Sequence, residues 1–266
     1  MPLGDFEKTI LRLLAINRNP ESYMAGATVF LRREDSPRQS RDIDIFHDTA
    51  QSLRQAAALD AAVLERNGFA LEWTDQQELY RRAMISKSGQ TTKMEWAYDS
   101  AFRFFPVQAD AEIGFVLHPL DSATNKMLAL AGRGEPRDYL DVLFLHRNVL
   151  SLGALAWAAC GKDAGFTPQF LVEEAQRLAH YPAGRLNALL LREPVDPVEC
   201  KRQWLQAVAE ANTLFTKLSP QEVGCLYLDA EGRAVTPDPG SPAFSQTCRH
   251  FGSVRGAWPA CSSGQE

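Results

Sequence analysis

The stretch Gln39–Asp48, QSRDIDIFHD, decides how this chain is read. Asp42 and Asp44 stand one residue apart, set between Ile43 and Ile45. On a β-strand alternate side chains point the same way, so the two aspartates share one face and the two isoleucines pack into a core on the other. A second segment, Lys93-Met94-Glu95-Trp96, repeats the pattern with Lys93 and Glu95 on one side. If the two strands are neighbours, Asp42, Asp44 and Glu95 converge. Two unit charges about 4 Å apart repel by roughly 1 kcal/mol in water and by about 4 at an effective dielectric of 20. Such a cluster must take up protons or gain a cation. Oxygen-only ligands on rigid strands suit Mg²⁺, which shares its shell with water and substrate phosphates.

A D-x-D pair by itself is also what a solvated strand face looks like, so its company matters. Upstream, Met24-Ala25-Gly26-Ala27-Thr28 offers a glycine where backbone can approach a phosphate, followed by a helical start whose free N–H groups attract anions. By itself Gly26 is an ordinary turn glycine. The order of glycine turn, helix, loop, D-x-D strand and later strand carboxylate is far more specific than any one part.

Working outward, residues 5–16 carry apolar residues at helical spacing, with Asp5 as the expected cap. A short strand begins at Ser22, and the polar loop EDSPRQS (34–40) leads into RDIDIF. Residues 49–68 form an alanine-rich helix closed by Gly68. Segments 69–75, 78–89 and 91–99 alternate as strands, with Ser88-Gly89 as a turn, and 102–108 adds another. From His118 the pattern is helical, with helices expected over Ser151–Lys162, Thr167–His180, Ala183–Leu191 and Pro197–Leu218. Residues 223–235 read as a hairpin. Beyond them Gly, Pro and Ser dominate without periodicity, with Phe244, Phe251 and Trp258 as anchors to the surface. The expected class is α+β: residues 1–117 as a mixed small sheet flanked by helices, 118–236 as a helical domain, and 237–266 as a loosely ordered tail.

The 266 residues are 45% hydrophobic and 23% charged, with a formal net charge of −5. This supplies a core without disulfides and argues against an extended nucleic-acid wrapper, while allowing local basic patches such as LRRE and YRRAM. Five scattered cysteines without a C-x-x-C pair fit reduced thiols better than a zinc site or a secreted framework. The charged amino end lacks the apolar core of a signal peptide, and the longest apolar stretch, LSLGALAWAAC, is too short to cross a bilayer. A soluble cytoplasmic protein with no membrane partner is expected. A P-loop, an H-E-x-x-H helix and a G-x-S-x-G elbow are all absent.

These motifs, in this order, resemble the nucleotidyltransferases of the DNA polymerase β-type superfamily, and among them the AbiEii-type toxins. MAGATVFL…RQSRDIDIF is similar to that group's glycine turn and D-x-D strand, and KME to its lysine-x-acid motif. HPLDSATNKMLALAGRGEPRDYLDVLFL (118–145) resembles the stretch in which a helical lysine precedes an Arg-Asp pair. The likeness runs over about residues 20–147. It implies the nucleotidyltransferase fold followed by a helical C-terminal domain, with a nucleoside triphosphate in a cleft between the sheet and the helical part. It further implies Mg²⁺ on Asp42 and Asp44, with Glu95 completing a two-metal site or serving as general base. Nucleotide contacts are then expected at Gly26, Ala27, Thr28, Lys93, Lys126 and Asp138, with an RNA acceptor such as tRNA, or a protein, and an antitoxin protein as partner.

Two positions depart from the family pattern. The turn reads Ala25-Gly26-Ala27 where Gly-Gly or Gly-Ser is usual, leaving Thr28 or backbone amides to meet a phosphate, and Glu95 replaces the commoner Asp. The residues themselves also allow plainer roles: Lys93 as a salt bridge balancing the acids, Lys126 as the solvated side of a helix, and Asp138 and Asp141 as first-turn acids that offset a helix dipole. Arg133 and Arg137 flank that turn, and His47 is expected to pack or to be solvated rather than to catalyse. Two other functions remain beside an RNA- or protein-modifying toxin. One is a small-molecule, antibiotic-modifying nucleotidyltransferase; the other is a degenerate relative that binds nucleotide or a partner without turnover.

Overall fold

The first apolar stripe forms α1 (Asp5–Leu14), which buries Ile10, Leu11 and Leu14. Its cap differs from expectation: Gly4 holds the N-cap position without a side-chain bond, and Asp5 lies inside the first turn, paired with Lys8 at 3.3 Å. The computed structural model describes residues 4–31, 38 and 42–259. Of the loop at 34–40 only Arg38 is among them, and Arg32, Arg33 and Arg41 lie outside. The chain divides into two units, Met1–Ala101 with Pro106–Ser122, and Phe102–Phe105 with Ala123–Glu266.

In the first unit β1 (Ser22–Met24) is followed by α2 (Thr28–Leu31), β2 (Asp42–His47) and α3 (Ala50–Arg66). α3 starts at a capping box in which the Thr49 hydroxyl accepts from Ser52 N (3.0 Å) and the Ser52 hydroxyl accepts from Thr49 N (3.2 Å). β3 (Ala70–Gln76), β4 (Tyr80–Lys87) and β5 (Gln90–Tyr98) follow as a meander. Ser88 and Gly89 both take positive φ, as a tight two-residue hairpin turn demands. β6 (Phe102–Arg103) belongs to the second unit, and β7 (Gln108–Asp110) and β8 (Gly114–Val116) return to the first. The sheet runs β3-β4-β5-β2-β1-β8-β7. It is mixed: β2 pairs with β5, and β1 with β8, in parallel, and the other neighbours are antiparallel.

Alternation works as the sequence predicts. Ile43, Ile45, Met94, Trp96, Ala83 and Ile85 form one buried face, packed with Ile10 and Leu14 of α1 and Leu53, Ala57 and Leu64 of α3. Each large side chain so buried contributes roughly 1.5–3 kcal/mol. One buried charge joins these layers. Asp60 of α3 is fully buried and accepts from Arg18 Nη2 (2.5 and 2.6 Å), Asn17 Nδ2 (2.8 Å) and Trp96 Nε1 (2.8 Å). That carboxylate ties the turn after α1, helix α3 and strand β5 to one another.

The helix α4 (Pro119–Arg133) crosses the dividing line between Ser122 and Ala123. The second unit continues with α5 (Pro136–Asn148), α6 (Leu152–Ala159), α7 (Pro168–Leu178), α8 (Ala183–Asn187) and α9 (Pro197–Phe215). Helices α6 to α9 are each shorter than the ranges expected from the sequence. Its core gathers Met127, Leu130, Leu143, Trp157, Leu171 and Trp204. No single helix among the described residues is long and apolar enough to cross a membrane; α5 and α6 qualify only as a pair bent by 112°.

The expected hairpin at 223–235 reduces to one bridge, Leu228 to Ala234. The full partner of β9 (Cys225–Leu228) is β10 (Cys248–Phe251), inside the segment without periodicity. β11 (Ser253–Val254) pairs with β6, His250 Nε2 lies 2.8 Å from Phe104 O, and Trp258 packs on Phe105.

Because Asp60 is the common acceptor, Asp60→Ala should strand a buried guanidinium and cost about 3–5 kcal/mol. Urea unfolding of the variant checks this; a loss below about 1 kcal/mol would contradict the role given to Asp60.

Candidate active site

Parallel pairing sets the polar face of the first unit's sheet. β2 and β5 run in register with Asp42 beside Lys93 and Asp44 beside Glu95, while β4 places Arg82 beside Glu95 on the other side. Side chains of directly paired residues share a face. The three acids therefore lie on one face, opposite the isoleucine core, as alternation predicts.

They do not form the open cradle expected from the sequence. Lys93 Nζ stands between Asp42 Oδ2 (3.2 Å) and Glu95 Oε1 (2.9 Å). Arg82 Nε reaches the same Glu95 oxygen at 3.0 Å. Arg82 lies over the Tyr80 ring, 5.2 Å from its centroid. Among the described residues no three His, Cys, Asp or Glu side chains converge as a cation-binding group. Lys93 already supplies positive charge between Asp42 and Glu95.

The protonation states follow from this arrangement. Burial raises the Glu95 carboxyl, but the hydrogen bond and charge of Lys93, with help from Tyr80 and Arg82, hold it below the usual carboxylate range. Burial lowers Lys93, and its bonds to Glu95 and Asp42 outweigh this and raise it. Burial, then the bond and charge of Glu95, push Tyr80 up to about 12. Glu95 is thus held in its ionised form by its cationic neighbours.

The glycine turn meets the aspartates at Asp44. Gly26 has φ +70°, and a Cβ there would run into Asp44 Oδ2. Ala25 N donates to Asp44 O (3.0 Å), and Ser122 Oγ donates to Gly26 O (2.7 Å), so the turn is fixed from both sides. Ala27 is buried, and the fully buried Thr28 hydroxyl has no hydrogen-bond partner among the described residues. His47 also packs as expected. Burial, then the Arg18 charge, lower its pKa to about 3, leaving it neutral.

Lys126 and Asp138 come together in the second unit. Lys126 Nζ lies 2.8 Å from Asp138 Oδ1 and 3.3 Å from Asp141 Oδ2, and Arg133 Nε lies 2.7 Å from Asp138 Oδ2. Lys126 is buried and both acids fully so, which rules out a solvated helix face or simple dipole compensation. Burial pushes Asp138 up, but the Arg133 hydrogen bond and the Lys126 charge overcome it and hold the carboxyl low.

Arg82, from the basic pair of YRRAM, and Tyr80 join the site although no motif marks them. Their signal was available: Tyr80 and Arg82 alternate on β4 as Lys93 and Glu95 do on β5, and the tight Ser88-Gly89 turn fixes their register.

The depressed Asp138 pKa carries a sign. Its contribution to stability is present above the ordinary carboxylate pKa near 4 and is lost as pH falls through the lower folded value. The urea midpoint of the wild type should therefore fall toward that of Asp138→Asn below about pH 4. Parallel pH profiles for the two proteins would contradict the ion cluster.

The profile of the family described as nucleotidyl transferase AbiEii toxin, type IV TA system, matches residues 12–211. The fold is similar to that of JHP933 from Helicobacter pylori, at 19% identity and a TM-score of 0.53, over 80% of this chain and 92% of that one. It is also similar to MenT4, a nucleotidyltransferase toxin of Mycobacterium tuberculosis H37Rv, at 14% identity and a TM-score of 0.56, over 81% and 83% of the two chains. These likenesses establish the α+β fold expected from the motifs. No curated protein matches the sequence. With its profile match spanning most of its length, the chain belongs to the AbiEii family of nucleotidyltransferase toxins.

Proposed function

We propose that this toxin moves a nucleoside monophosphate from a nucleoside triphosphate to a hydroxyl of an RNA such as tRNA, with Mg²⁺ on Asp42 and Asp44. The carrying observation is the fixed Asp42–Asp44 face beside the Gly26 turn. Two carboxylates on one strand offer the hard oxygen donors that Mg²⁺ takes, so this pair fits one divalent ion shared with a triphosphate. Bound there, Mg²⁺ supplies neutralising charge to the phosphates.

The chain's own residues do the positioning. The Gly26–Thr28 turn offers backbone N–H groups and the buried Thr28 hydroxyl to phosphate oxygens. Lys93 holds a further phosphate oxygen from its place beside Asp42. The acceptor oxygen bonds to the α-phosphorus as the bond to the α,β-bridging oxygen breaks, pyrophosphate leaves, and the hydroxyl proton passes to solvent. Holding these groups in line is the main protein contribution. The same reading gives the chain an antitoxin partner and a cytoplasmic place of action.

Binding without turnover is a second reading, and one observation favours it: a lysine already fills the space between Asp42 and Glu95. Transfer of α-labelled nucleotides, each of the four in turn, to total RNA and to total protein separates the two. Label is expected in RNA, with Asp44→Asn and Gly26→Ala each lowering transfer by about 100-fold or more. Label in protein would replace the acceptor proposed here; no transfer, or equal transfer by Asp44→Asn, would overturn the catalytic reading.

A further inference from the structure

We infer that Lys93 carries, in this chain, the positive charge that a second divalent ion would bring between Asp42 and Glu95, so that a single divalent ion serves the site. This rests on the nucleotidyltransferase reading above and specifies its cation requirement. The placement of Lys93 follows from the fold. Its Cα is the register partner of Asp42, and Glu95, two residues along β5, projects from the same face. One ammonium therefore spans both carboxylates, at 3.2 and 2.9 Å.

Glu95 is the anchor of this arrangement. Its Oε1 already accepts from Lys93 and from Arg82 Nε. A metal ion on that oxygen would displace two cationic donors that the sheet register holds in place. Lys93 suits the alternative role because an ammonium has three donors. Two can stay on Asp42 and Glu95 while the third meets a phosphate oxygen. The side chains of Lys93, Asp42 and Glu95 are 27%, 28% and 19% exposed, so a phosphate can reach the group. Glu95 and Arg82 are accordingly positioning residues that act through Lys93.

The test counts metal. The full chain is loaded with Mn²⁺ and a non-hydrolysable triphosphate analogue, freed of unbound metal by gel filtration, and its Mn²⁺ measured by electron paramagnetic resonance. One Mn²⁺ per chain is expected. Glu95→Gln should keep that ion yet weaken analogue binding about tenfold, the size of a lost charge-assisted hydrogen bond. Arg82→Gln should weaken it in the same direction, and Arg82→Lys should restore it, while Asp44→Asn should lose the metal. Two ions in the wild type overturn the inference and leave the parent reading standing, as does Glu95→Gln losing metal with analogue affinity unchanged. A wild type that holds neither analogue nor metal overturns both.

Discussion

The in-register parallel pairing of β2 with β5 is the constraint on which the rest depends. It brings Asp42 against Lys93 and Asp44 against Glu95 on one face, and with the same stroke it puts Ile43, Ile45, Met94 and Trp96 together on the other. A one-residue slip would turn both faces over, sending isoleucines to the polar side and carboxylates into the core. Burial of that apolar face therefore fixes the geometry of the charged one. Stability and chemistry are set by a single register.

Ionic groups have two different fates in this chain. Asp60 and Arg18 are paired deep among α1, α3 and β5, where the pair locks layers together and meets no substrate. The Lys93–Glu95–Arg82 group is half exposed and alternates in sign along a sheet face. Its lysine is held in place while remaining accessible to another anion. Lys126 with Asp138 and Asp141 is intermediate, a buried lysine against two fully buried acids. In each case the anchor is a carboxylate with a cationic partner, and in two of the three a lysine is the group so presented.

Much of this was legible in the sequence. The two-residue alternation of DIDIF and KMEW gave the strands and their faces, the alanine-rich run at 49–68 gave α3, and Ser88-Gly89 gave the hairpin. What escaped was non-local. The Ser88-Gly89 hairpin register carries the Arg82–Glu95 pairing, but which oxygens the side chains share is a contact that spacing leaves open, so three acids read as an open cradle when a lysine closes it. The same limit hid β10, because a four-residue strand paired to β9 across some twenty residues leaves no periodic trace. Lys126 looked like a surface residue because its partners, Asp138 and Asp141, lie on the next helix.

The account stands on Glu95 acting through Lys93. A double-mutant cycle of Lys93→Met and Glu95→Gln on triphosphate affinity measures that link most directly. If Glu95 serves only to hold the lysine, the double variant should bind no more weakly than Lys93→Met alone. Losses that add, with the double variant weaker by the product of the two single effects, would mean that Glu95 acts on its own and that the link is absent.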